Sequence, residues 1–216
     1  MQKLVLEFKA LMVVVVVALS LAAPAAHAKS AQDMPEDAWA FIQELADKTL
    51  DVLDNIYLTQ EERDQQFHDL LRDGFEINYL AKLVLGHHRR SATKQQMQDF
   101  QDIFSDYIIG IYAGRLAKYG DERFYVTGTM PVGKNDIYVR SEVTRAGRDP
   151  FAADWRVRLM DGELRIIDIK IAGISMLQTQ RDEFSSRINR VGMDGLIEDM
   201  RKKAGTKIIN VAQKDG

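Results

Sequence analysis

The stretch DWRVRLMDGELRIIDIKI, residues 154–171, reads as two strands and the turn between them. In its first half Trp155, Val157 and Leu159 alternate with Asp154, Arg156 and Arg158. A period of two puts the apolar set on one face of a strand and the charged set on the other, so the sheet has one buried face and one wet face. Asp161-Gly162 marks the turn. The second half is more enclosed: Ile167, Ile169 and Ile171 share one side, while Ile166, Asp168 and Lys170 mix apolar and charged groups on the other. Helices are therefore expected over one face.

Upstream the same period of two begins at Arg123. Turn-forming runs at 131–135 and 146–150 divide it, which predicts four strands over 123–132, 136–146, 151–160 and 163–173. Connections this short favour an antiparallel meander.

Further upstream the period changes to that of a helix. Trp39, Ile42, Leu45, Ala46, Leu50 and Leu53 form one apolar stripe behind Pro35, which suits a first helical turn. Thr59 with Glu62 has capping-box spacing and opens a second helix that turns Phe67, Leu70 and Leu71 inward. A short helix is expected over Ile77 to Leu85, stopping at Gly86. The longest is expected over 93–119, capped by Thr93 and Gln96 and stopped by Gly120, with Met97, Phe100, Phe104, Tyr107, Ile111 and Tyr112 on one side. Gly110 and Gly114 in that helix permit close approach of a backbone or ligand. Downstream of the sheet, helices over 176–190 and 194–203 are separated by Gly192, Asp194 is placed to cap the second, and a tail follows from Gly205. The order defines an α+β fold: N-terminal helices, a four-stranded antiparallel curved sheet packed on one side, and C-terminal helices.

The N-terminus bears on compartment. Lys3 and Lys9 precede an apolar run from Ala10 to Ala23, broken by Pro24 and followed by Ala26-His27-Ala28. That run is shorter than the roughly 20 residues a membrane helix needs, and the small-x-small ending is what signal peptidase reads. Residues 1–28 are thus expected to be a signal peptide, 29–204 a single domain and 205–216 a C-terminal tail; an uncleaved membrane anchor is the alternative. With no cysteine in the chain, neither a lipobox nor a disulfide is available. The 29 Lys and Arg against 32 Asp and Glu give a charge of −3, without the basic field of nucleic-acid binders, so nucleic acid is not an expected partner.

Motifs for catalysis are sparse. Gly173-Ile174-Ser175-Met176 begins like a nucleophile elbow, but Leu177 stands where the second glycine belongs, and Ser175 suits a helix cap. His87 and His88 are adjacent and point apart, with no third ligand at zinc spacing, so no metal is expected. With Arg89 and Arg90 they form a dense basic cluster that could meet an anionic headgroup or phosphate, or simply face solvent. Asp99, Asp102 and Asp106 read as a solvated helix face. Asp168 sits among isoleucines and is expected to pair with a neighbouring arginine. The aromatic and isoleucine stripes, taken alone, read as core.

Two segments, VLGHHRRSATKQQMQDFQDIFSDYIIGIYAGRLAKY (84–119) and DGELRIIDIKIAGISMLQTQRDEFSSRINRVGMDGLI (161–197), resemble the MlaC family of periplasmic phospholipid-binding proteins, also called the toluene-tolerance family. In the second, Asp168, Gly173, Ser175, Glu183, Phe184, Gly192, Asp194, Gly195 and Leu196 take the places of the family pattern. His88 and Arg89 depart from it, standing where the family shows aromatic residues. The resemblance implies a carrier without enzymatic activity or cofactor, holding phospholipid as cargo in an apolar pocket between sheet and helices. Val84, Phe100, Phe104, Tyr107, Ile111, Tyr112, Trp155, Val157, Ile167, Ile169, Ile171 and Ile174 are the expected lipid-binding residues, and His88, Arg89 and Arg90 the headgroup or partner contacts. It further implies a periplasmic monomer that exchanges lipid with an inner-membrane ABC transporter complex and an outer-membrane lipoprotein-porin complex. A hopanoid or other apolar lipid as cargo, a small α+β enzyme using Asp168 with His87 or His88, and an envelope adaptor are the alternatives.

Intact-mass measurement of the exported chain should find its first residue at Lys29; a membrane-bound species that retains residues 1–28 would contradict the signal-peptide reading.

Overall fold

The computed structural model describes residues 34–116, 122–145 and 147–212. The expected signal peptide and the stop at Gly120 lie outside them. The elements are α1 (Met34–Asp54), α2 (Gln60–Gly74), α3 (Ile77–Leu85), a 3-10 turn (Gly86–Arg90), α4 (Lys94–Leu116), β1 (Glu122–Val132), β2 (Asp136–Arg145), β3 (Arg148–Met160), β4 (Glu163–Ile171), β5 (Ile174–Ser175) and α5 (Met176–Ala212). Both capping boxes form. The Glu62 N–H donates to Thr59 Oγ1 (3.2 Å) while the Thr59 N–H donates to the Glu62 carboxylate (2.8 Å). The Gln96 and Thr93 N–H groups make the same exchange at 3.1 and 3.0 Å. Helix α5 is broken at Gly192, whose φ of 74° and ψ of 176° are not helical, so the two expected closing helices form on either side of that glycine, the second running on to Ala212.

The sheet is an open antiparallel meander in the order β1-β2-β3-β4-β5. It has five strands rather than four. After β4 the chain reverses through Ala172 and Gly173, both at positive φ, and Ile174–Ser175 pairs back on Ile171 and Lys170. A two-residue strand is too short to leave a periodic signal in the sequence.

A second difference concerns the isoleucines of β4. Val157 pairs with Ile166, but Arg156 pairs with Asp168, so Ile167 is an extra residue in a β-bulge. The bulge shifts the phase by one: Ile166 packs in the same cluster as Ile169, not on the opposite side from it. The expected continuous stripe of Ile167, Ile169 and Ile171 is corrected accordingly.

Two apolar clusters result. In the first, Met34, Ala38 and Ile42 of α1 lie on Ile137, Val139, Val157, Leu164 and Ile166 of the sheet, with Trp155, Leu159 and Ile169 partly buried at its edge. The second is made by helices alone: Ala81, Val84 and Leu85 of α3, Phe100, Phe104 and Tyr107 of α4, and Phe184, Met193, Leu196, Ile197 and Met200 of α5. Rings from α4 and α5 meet edge-on, Phe100 with Phe184 at 5.7 Å between centroids.

Polar groups tie the clusters together. On the charged face of β3, Arg156 and Arg158 both converge on Asp136, with Arg156 Nε donating at 2.8 Å and Arg158 Nη2 at 2.9 Å. Arg158 Nη1 also donates to the Tyr79 hydroxyl of α3 at 2.6 Å. At the edge the Glu76 N–H donates to the Ile166 carbonyl. Asp168 is buried, and among the described residues it does not pair with an arginine as expected: its oxygens accept from the Ser175 hydroxyl (2.7 Å) and the Leu177 N–H (3.0 Å) at the start of α5.

Burial by itself would raise the Asp136 carboxyl, but hydrogen bonds and charge from Arg158 and Arg156 outweigh it and hold the carboxyl below the usual range. In the unfolded chain the carboxyl titrates near about pH 4, so between its folded and unfolded values the unfolded state binds more protons. The stability this network contributes is complete above about pH 4 and is lost as pH falls through the folded value. Acid titration of stability should therefore show a limb in that window which Asp136→Asn removes. Asp136→Ala, which strands two partly buried guanidinium groups, should cost about 3 kcal/mol in denaturant unfolding.

Candidate functional site

The sequence pair Leu85-Gly86 ends α3 at a place where the backbone has to be unusual. Gly86 takes φ 54° and ψ −123°, and a Cβ there would stand 3.0 Å from Arg181 Nε. Its absence lets the Arg181 guanidinium reach the end of α3, where Nε donates to the Leu83 carbonyl at 3.1 Å. Arg181 thereby neutralises part of the negative helix end and locks α5 against α3.

The 3-10 turn that follows carries the basic cluster. The rings of His87 and His88 are 3.9 Å apart, and His88 Nε2 shares a hydrogen bond with Ser185 Oγ at 2.9 Å. Burial, reinforced by His87 alongside, pushes the His88 pKa down, so its imidazole is neutral at pH 7. Leu85, Gly86, His87, His88, Arg181, Asp182 and Ser185 enclose a cleft of about 320 Å³. Arg89 and Arg90 are exposed and do not line it, so the structure splits the expected basic site into one cleft histidine and two surface arginines. The cleft can present donors to an anionic group.

A larger groove of about 750 Å³ lies at the bend of α5. Tyr107, Phe184, Leu196 and Met200 form its apolar part, and Arg187, Arg190, Lys202 and Lys203 stand around it with Asp182, Glu183 and Asp199. Arg187 donates to Asp199 across the bend.

The expected lipid-binding residues do not form one lining. Val84, Phe100, Phe104 and Tyr107 are buried in the helical cluster, with Ile111 packed against it. Val157 is buried in the sheet cluster, with Trp155 and Ile169 at its edge. Ile167 is buried at the bulge, whereas Ile171 and Ile174 are 39% and 62% exposed on either side of the β4–β5 turn. The side chain of Tyr112 lies outside the described residues. Between the clusters runs a seam, crossed by Tyr79, Arg158, Asp168 and Ser175 and flanked by partly buried Ile77, Leu80 and Leu177 on the helical side. Sequence reasoning missed Tyr79, Arg181 and Ser185. None of the three left a signal, because each partner is distant in the sequence: Arg158 for Tyr79, Leu83 for Arg181 and His88 for Ser185.

Asp168 and the histidines also prove to be separate. Asp168 is held at the first turn of α5, while His88 meets Ser185, ten residues on from Ser175 and so about 15 Å along the helix. An acid–base pair of Asp168 with His87 or His88 is not assembled. Among the described residues no group of three or more His, Asp or Glu is placed to hold a metal ion. No helix among them is long and apolar enough to cross a membrane.

An open meander, one helix packed on its apolar face, a separate helical core and clefts lined by charges of both signs define an α+β domain. Residues 43–202 match the family model described as MlaC protein, and the chain belongs to that family. It is 28% identical over 137 residues to the intermembrane phospholipid transport system binding protein MlaC of Haemophilus influenzae, a match covering 62% of this chain and 64% of that one. To the toluene tolerance protein ttg2D of Pseudomonas putida it is 24% identical over 107 residues, half of each chain. The chain thus spans less than two thirds of the length of these curated relatives. In fold it is similar to the phospholipid-binding protein from Ralstonia solanacearum, solved in complex with a phospholipid, with a TM-score of 0.67, 24% identity, and 78% of this chain and 97% of that one covered.

Gly86 and Gly133 offer a controlled comparison, since both have positive φ but a Cβ at Gly133 would meet nothing within 4 Å. Each change to alanine should cost about 1 to 3 kcal/mol for the backbone conformation. Gly86→Ala should cost more in thermal unfolding, because it also pushes Arg181 off the Leu83 carbonyl.

Proposed function

We propose that this chain is a periplasmic phospholipid carrier, passing lipid between an outer-membrane lipoprotein-porin complex and an inner-membrane ABC transporter complex and so maintaining outer-membrane lipid asymmetry. The observation that carries the reading is membership of the MlaC family together with two apolar clusters that meet at a seam. The relatives' own descriptions, phospholipid transport for one and a bound phospholipid for another, point the same way.

The physical need is large. A diacyl lipid has about 30 methylene-type groups, and at ~0.8 kcal/mol each its free desorption into water costs on the order of 20 kcal/mol. A carrier has to shield the tails for the whole crossing. Here acyl chains enter between the clusters, with Ile167 and Ile169 on the sheet side and Phe100, Phe104 and Ile111 on the helical side. Parting two packed layers at a seam disturbs fewer contacts than opening either core, because each cluster keeps its own packing. The headgroup stays near solvent, where His88, Arg89 and Arg90 supply donors for its phosphate. Nothing in this mechanism requires a nucleophile, base, metal or cofactor, and the carrier works as a monomer.

Chain purified without detergent should retain about one phospholipid per molecule, measured by extraction and mass spectrometry; lipid-free chain unable to take lipid from vesicles would contradict the carrier reading. Ile169→Trp should abolish that lipid while leaving the thermal midpoint of the delipidated chain close to wild type. Only wild type should then gain stability on adding lipid, since a ligand bound by the native state raises the midpoint. In a plain core position the added indole would instead cost about 1 to 3 kcal/mol and leave lipid binding intact.

A further inference from the structure

The most exposed large apolar side chains among the described residues are adjacent: Ile56, 82% exposed, and Tyr57, 90% exposed, in the turn between α1 and α2. Single exposed apolar residues are ordinary on a protein surface. Two features set this pair apart.

The first is a braced backbone. The Tyr57 N–H donates to Asn55 Oδ1 at 3.0 Å, and Arg63 reaches back from α2 to donate to the Leu53 carbonyl at 2.9 Å and the Asn55 carbonyl at 3.2 Å. The capping box at Thr59 fixes the other side of the turn. An aromatic residue with few rotatable bonds on a fixed turn loses little freedom when it is buried by a partner, which is the physics of an interface anchor.

The second is the sign of the surrounding charge. Asp51 and Asp54 lie exposed in the last turn of α1, which holds no basic residue. The negative end of the helix dipole favours cations there, so these acids work against helix stability and fold requirements do not explain them. Glu61 and Glu62 add to the same field, although both suit the first turn of α2 and Glu62 serves the capping box. The guanidinium of Arg63 is directed onto backbone carbonyls.

We propose that the α1–α2 turn is a docking knuckle: Ile56 and Tyr57 insert into an apolar pocket on a partner protein whose rim is lined by lysine and arginine. Charge complementarity selects the occupant. An acidic surround steers toward a basic protein rim and is repelled by the negative surface of a membrane rich in anionic lipid. The inference goes beyond the carrier reading, because it assigns a protein contact to a turn that holds none of the lipid-binding residues proposed above.

The test uses the full chain with benzoylphenylalanine in place of Tyr57 or, as control, of exposed Glu142, illuminated in the cells that make it. A protein adduct is expected at position 57 and not at 142, identified by mass spectrometry and then purified. That partner should bind the wild-type chain at least tenfold more tightly than the Ile56→Ser, Tyr57→Ser double variant, at unchanged thermal unfolding. Asp51→Lys with Asp54→Lys should weaken it too, and rising salt should lower wild-type affinity. The lipid content of each variant should equal wild type, which separates failure here from failure of the carrier reading. No protein adduct at 57, an adduct only with a second copy of the chain, or a partner indifferent to both double variants would overturn the proposal. So would flotation with vesicles of phosphatidylglycerol that depends on Ile56 and Tyr57.

Discussion

A buried carboxylate has to be satisfied, and the way Asp168 is satisfied sets the course of the chain's last third. Its two oxygens take the Ser175 hydroxyl and the Leu177 N–H. Ser175 Oγ in turn accepts the Gln178 N–H at 3.0 Å, so one side chain caps α5 and ties it to β4. Because the donors sit in the first turn of α5, the helix can leave the sheet in only one direction. That direction carries Phe184 onto α3 and α4, and the limb beyond Gly192 adds Leu196, Ile197 and Met200 to the helical cluster. The alternative partner, Arg156, lies opposite Asp168 in the register but is already committed to Asp136.

How much of this is legible in the sequence depends on whether a feature repeats. Trp155, Val157 and Leu159 announce their strand because alternation over several residues is a signal, and Thr59 with Glu62 announces a helix start because both partners of the cap are local. The bulge at Ile167 leaves no such trace. In Ile166-Ile167-Asp168 two apolar residues stand side by side, and either phase of alternation accounts for them. Only pairing with β3, set from the other side of the hairpin, decides that Ile166 joins Val157 under α1.

The division into two cores was illegible for a related reason. The aromatic stripe of α4 and the isoleucines of β4 are both apolar, and apolar faces do not name their partners. The structure satisfies each separately, α4 with α3 and α5, the sheet with α1. The surfaces left between them are mixed, with Tyr79 and Arg158 bonded across the gap beside Leu80 and Ile77. A seam of this composition is weaker than either core, because the polar ties are few and directional whereas core packing is dense and additive.

The bend of α5 belongs to the same logic. As one straight helix its 37 residues would extend about 55 Å, against about 35 Å for the 23 residues of α4. Gly192 takes a φ of 74°, a conformation side chains rarely adopt, and folds the second limb back along α4. Contacts that a straight helix forbids follow. Arg187 and Asp199 are twelve residues apart, about 18 Å along an unbroken axis, yet they are bonded. The Gln96 amide donates to Asp194 at 2.9 Å and Arg201 pairs with Asp99 at 3.4 Å, holding the second limb to α4 at two heights. Surface ion pairs of this kind contribute little energy one at a time. Their value is positional: they keep Leu196 and Met200 seated beside Tyr107 and Phe184, and so hold the lining of the groove at the bend in place.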